Sequence, residues 1–176
     1  PETDQYALKC SIGQIVAQVD AAWLIAQGYL ASIDIVTLET QDVVEDEFPD
    51  YQSEKAFLGK SEERLQALAQ EIMAKRDEVG NTLALVNSIV LGQALEALIP
   101  GSVFLFGESD KDLRAQNYAE YAERDDIILI ATVGIASTGI SIDRIFALWL
   151  IDIGKSFVRC IQSVGRGLRK SGDKNH

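Results

Sequence analysis

The stretch Thr82–Gly107, TLALVNSIVLGQALEALIPGSVFLFG, decides the fold. Thr82–Val86 is a short unbroken apolar run of the kind that fits a strand buried on both faces. Ser88 stands where a helix N-cap belongs, and Ile89–Ile99 follows as a helix that Pro100-Gly101 stops. Val103–Phe106 is a second apolar run, ending at Gly107. Strand, helix and strand in this order make a βαβ unit, whose two strands lie parallel.

The alternation continues outward. Asp110 caps a helix reaching Glu123, and Ile127–Ala131 and Ile145–Ile153 read as two further buried strands. Toward the N-terminus, Ser61 with Glu62 and Glu63 opens a helix with an apolar stripe of Leu65, Leu68, Ala69, Ile72 and Met73, ended by Gly80. Tyr51–Leu58 is a shorter helix, and Asp20 caps another over Ala21–Gln27. Ser32–Leu38, SIDIVTL, alternates apolar with polar and predicts a strand near a sheet edge. The expected class is α/β: a three-layer sandwich with a mainly parallel sheet covered by helices on both faces. Ligands of such sheets sit beyond the carboxyl ends of the strands. The loops to watch are therefore Asn87-Ser88, Gly107–Asp110, Thr132–Ser141 and Gly154–Ser156.

At 176 residues and 47% apolar, the chain can build one real core. Mean hydropathy is +0.05 and no apolar run is long enough to span a bilayer, so no membrane segment is expected. The N-terminus lacks the basic-then-apolar pattern of a secretory signal, and Cys10 and Cys160 lie far apart, which fits a reduced, cytoplasmic chain. The single His, His176, argues against zinc and against Ser-His-Asp or Cys-His catalysis. No G-x-x-x-x-G-K-[ST] phosphate loop is present, and no acid-pair motif for Mg²⁺ is expected. Net charge is −11, with an acidic stretch at Glu39–Asp50 that reads as a solvated loop. The basic residues concentrate instead in 155–176, where any polyanion would have to be met.

That region holds Lys155–Gly172, KSFVRCIQSVGRGLRKSG. On a helix, Arg159, Gln162, Arg166 and Arg169 fall within about 80° of one another, beside a stripe of Val158, Ile161, Gly165 and Leu168. Guanidinium forks suit phosphate oxygens, although a solvated basic face reads the same spacing equally well. The loop Thr132–Ser141, TVGIASTGIS, offers hydroxyls at Thr132, Ser137, Thr138 and Ser141, and Gly134 and Gly139 permit close backbone approach. It fits a phosphate or sugar, and it fits a tight crossover.

Taken together, Ile127–Ile142, IILIATVGIASTGISI, and Gln162–Arg169, QSVGRGLR, resemble motifs V and VI of superfamily 2 helicases, and LALVN at 83–87 sits where motif IV would. The S-T-G-I-S form of motif V and the ending G-R-G-L-R-K-S-G look most like the UvsW-type phage helicases, DNA repair and recombination enzymes that remodel branched DNA. The resemblance implies the C-terminal RecA-like domain, of the P-loop NTPase type, over residues 31–176. Residues 1–30 would be a connector from a first RecA-like domain that lies outside this sequence. It implies ATP and Mg²⁺ as cofactors, held mainly by that first domain. Arg166 and Arg169 match the arginines that reach the triphosphate, where they stabilise charge on the transferring γ-phosphoryl. Gln162 and Gly139 match nucleotide-binding positions. Ser141 stands where many relatives carry an acid for the ribose, so sugar recognition there differs. Thr132, Asn87, Ser88 and Gly107 match contacts to the nucleic-acid phosphate backbone. DNA is the expected partner, in the cytoplasm of a bacterium or phage-infected cell. Two alternatives stand beside this reading: a non-catalytic RecA-like binding or scaffold module, and an RNA-directed helicase.

Overall fold

The computed structural model describes residues 9–14, 16–39, 48–135 and 144–152. The chain divides into two compact units, Pro1–Leu30 and Ala31–His176. In the first, helix α1 (Ala21–Ala26) starts where Asp20 Oδ1 accepts a hydrogen bond from Ala22 N at 3.0 Å, and Gly28, at φ +75°, follows its end. Trp23 and Tyr29 stack with ring centroids 6.2 Å apart. No described residue of this unit is buried.

The second unit is organised on β1 (Thr82–Val86), all five residues of which are buried. It pairs in parallel with β3 (Ile128–Thr132) on one side and β4 (Ala147–Ile151) on the other, and β2 (Val103–Leu105) pairs in parallel with β3. The strand order is β2-β3-β1-β4. Val86 lies opposite both Thr132 and Ile151, and Leu105 lies opposite Ala131, so all four strands end along one edge.

Side chains alternate across the sheet, and each set meets helices. Ala84, Val86, Ile128 and Ile130 pack against α3 (Glu62–Val79) and α4 (Ile89–Leu98) through Leu65, Leu68, Ile72, Leu91 and Leu95. Leu83, Leu85, Leu105, Leu129 and Ala131 face the other way, around Tyr121 of α5 (Lys111–Glu123). Burial on both faces is why these strands read as continuous apolar runs. Each buried Leu or Ile contributes about 1.5–3 kcal/mol on leaving water, against a net of about 1 kcal/mol for a typical hydrogen bond. The two apolar layers therefore dominate the stability.

Of the caps read from the sequence in this unit, those at Ser61 and Asp110 form and that at Ser88 does not, while Asp50 supplies one that was not read. Asp50 Oδ1 accepts from Ser53 N at 2.7 Å to start α2 (Tyr51–Leu58), and Ser61 Oγ accepts from Arg64 N at 3.4 Å to start α3. Asp110 Oδ1 accepts from Asp112 N at 2.7 Å at the head of α5. Ser88 has the extended backbone of an N-cap, but its hydroxyl makes no capping bond to α4.

Ser32–Leu38 forms no strand: residues 31–39 have no regular secondary structure, and Ile35 and Val36 are each 79% exposed. Alternation states which face a strand would bury, not whether a partner strand is available. Boundaries also move. β2 ends at Leu105, because Phe106 N donates to Ser109 Oγ at 2.9 Å and the chain turns there. β4 covers Ala147–Ile151 rather than Ile145–Ile153. The expected helix at 155–172 and Cys160 lie outside the described residues.

At the amino end of the sheet, buried Asn81 joins three elements. Its Nδ2 donates to the carbonyls of Tyr121 at 2.8 Å and Arg124 at 2.6 Å, and its Oδ1 accepts from Ile127 N at 3.0 Å. Its own carbonyl accepts from Phe146 N at 2.9 Å.

The outer edge of β2 is occupied from within. Ser102 N donates to the Ile99 carbonyl at 3.2 Å, Phe104 N to Glu96 Oε1 at 2.8 Å, and Phe106 N to Ser109 Oγ.

Candidate functional site

A parallel sheet points all its strand ends the same way, so each loop leaving a carboxyl end arrives at one rim. Along it lie, in spatial order, Gly107 beyond β2, Thr132 closing β3, Asn87-Ser88 beyond β1, and Asp152 beyond β4. Adjacent strands stand about 4.8 Å apart. Thr132 is directly opposite Val86 and so neighbours Asn87.

Asn87 is exposed, and Ser88 and Thr132 are half-buried, so each presents a polar group at the rim without being locked in the core. Gly107 is exposed, and a Cβ built on it would meet nothing within 4 Å. The four positions read from sequence as phosphate-backbone contacts are therefore gathered on one edge. The other five, Gly139, Ser141, Gln162, Arg166 and Arg169, lie outside the described residues.

Lys55 was not singled out by sequence. It sits on α2 and places its Nζ 3.0 Å from Asp152 Oδ2. Asp152 follows β4 directly and takes φ +52°, the one positive value among the described non-glycine residues. Aspartate is among the few residues that adopt this conformation at modest cost. A clue to Asp152 lay in its place just past an apolar strand, at a carboxyl end. For Lys55 the sequence offered none, because a lysine on a short polar helix is ordinarily a solvated one. Among the described residues no cluster of His, Cys, Asp and Glu could hold a metal ion. No described helix is long and apolar enough to cross a membrane.

The layers, the all-parallel sheet and the polar rim define a RecA-like α/β sandwich. No protein-family model matches the chain. Over 106 residues it is 30% identical to the ATP-dependent DNA helicase UvsW of enterobacteria phage T4, which is 58% of this chain and 21% of that protein. The crystal structure of T4 UvsW matches with a TM-score of 0.60 at 24% identity, over 72% of this chain and 26% of UvsW. The likeness to UvsW-type helicases drawn from the motifs is thus met in sequence and in fold. The chain spans about a fifth to a quarter of the relative's length.

Proposed function

We propose that this chain is the second RecA-like domain of an ATP-dependent superfamily 2 DNA helicase or translocase. The observation that carries this reading is the convergence of Asn87, Ser88, Gly107 and Thr132 on the carboxyl rim of the sheet, where parallel α/β folds hold their ligands. The similarity to T4 UvsW supports the same reading.

In this reading a first RecA-like domain holds ATP and Mg²⁺, and ATP supplies a γ-phosphoryl group for transfer to water. Arg166 and Arg169 of this chain place guanidinium donors on the phosphoryl oxygens as charge develops there. Gln162, Gly139 and Ser141 hold the nucleotide from the same side. Asn87, Ser88, the Gly107 backbone and Thr132 grip the phosphates of the DNA strand, which positions it without reading sequence. Closure on nucleotide and opening after hydrolysis then step the two domains along DNA. The division of the chain after Leu30 supports reading residues 1–30 as the connector.

The test is Arg169→Ala in the full-length protein. Turnover should fall by about 10³–10⁵-fold while nucleotide affinity moves far less. Parallel loss of both would reduce the arginine to a binding contact and overturn its assigned role.

A further inference from the structure

Beside the carboxyl end of β4 opens a cleft of about 150 Å³, walled by Lys55, Gly59, Arg64, Leu91 and Asp152. An adjoining hollow shares Lys55, Gly59, Leu91 and Asp152 and adds Lys60 and Ser88. We infer that this cleft is a phosphate-binding site for the nucleic-acid strand, with Lys55 and Lys60 as its cationic ligands and Ser88 as its hydroxyl donor. The inference rests on the function proposed above and extends the strand's path to α2 and the α2–α3 turn, which no motif marks.

Charge is the first ground. The chain carries a net −11, yet three cations line these walls against two acids, Glu54 and Asp152. Preorganisation is the second. Lys55 and Asp152 are only 26% and 24% exposed, and their ion pair fixes the ammonium at the cleft wall. Less side-chain entropy is then lost when an anion arrives. The third ground is α4. Helices α2, α3 and α5 each carry a carboxylate in the first turn, whereas α4, like α1, carries none. Ser88, on the hollow's wall, spends no hydrogen bond on capping α4. An anion in the cleft would complement that helix end and take the Ser88 hydroxyl as donor.

Asp152 makes the inference testable by sign. Its carboxylate competes with a phosphate for Lys55, and Asn tolerates the same positive φ. Binding of a labelled oligothymidylate to the 176-residue chain should weaken by on the order of tenfold in Lys55→Gln and in Lys60→Gln. The slope of log affinity against log salt should shrink by about 0.7 for each phosphate that a removed lysine no longer neutralises. Asp152→Asn should bind more tightly than the parent. A merely structural ion pair would make Lys55→Gln and Asp152→Asn fall together, alongside a common loss of thermal stability, and that result overturns the site. Unchanged affinity in the lysine variants, with the parent still binding DNA, also overturns it and leaves the proposed function standing. A second arm titrates inorganic phosphate and follows the Val90 and Leu91 amide resonances. Phosphate binding that the lysine variants abolish, with no oligonucleotide binding by the parent, would overturn the nucleic-acid site and leave one for phosphate in solution. Binding of neither probe overturns the site, and the proposed function is then judged by Arg169→Ala in the full-length protein.

Discussion

Asn81 shows how much one buried amide can hold. It closes three side-chain hydrogen bonds at 0% exposure, tying the head of β1 to the end of α5 and the entry to β3. Truncation would leave two carbonyls and one N–H without their partner in a dry environment. Asn81→Ala should cost about 2–3 kcal/mol, read as a lower urea midpoint at unchanged slope. A loss below half of this would mean that water reaches the vacated space. Tyr121 is the contrasting case. It is fully buried, its hydroxyl meets no hydrogen-bond partner among the described residues, and burial holds its phenol well above the ordinary value. Its stabilising value lies in the ring's packing, not in its polar end.

Among the elements, α4 lies against β2 because Gly92 faces Phe104. A Cβ on Gly92 would run into the Phe104 ring, which is itself buried and stacked on Phe106 at 5.3 Å. The ring cannot swing away without opening the layer, so the helix must shift. Gly92→Ala should therefore destabilise by about 1–3 kcal/mol despite its better helix propensity, and thermal unfolding reads the sign. A stabilised variant would show that the layer yields. This close approach was not legible in the sequence, where a lone glycine inside a helix pattern carries no address. The strands and helices were legible because burial on both faces writes long apolar runs and capping residues mark the ends. Ser32–Leu38 failed for the opposite reason: its pattern is local, and pairing is not. The rim positions Asn87, Ser88, Gly107 and Thr132 were readable as loop residues following apolar runs. Lys55 reached the site through tertiary structure alone.

For the whole molecule, the proposed division of labour has a direct consequence. The sequence contains no G-x-x-x-x-G-K-[ST] loop, so the arginines would have no triphosphate held in front of them. The purified 176-residue chain should show no ATP hydrolysis above background in a phosphate-release assay. Turnover that Arg166→Ala removes would mean the chain holds a complete site. A last consequence comes from the flank of β2, where Ser102, Phe104 and Phe106 have already given their amide protons to Ile99, Glu96 and Ser109. These three donors are therefore closed to a foreign ribbon that would zip onto that margin. This flank is accordingly less open to stacking into fibrous aggregates than a bare strand margin would be.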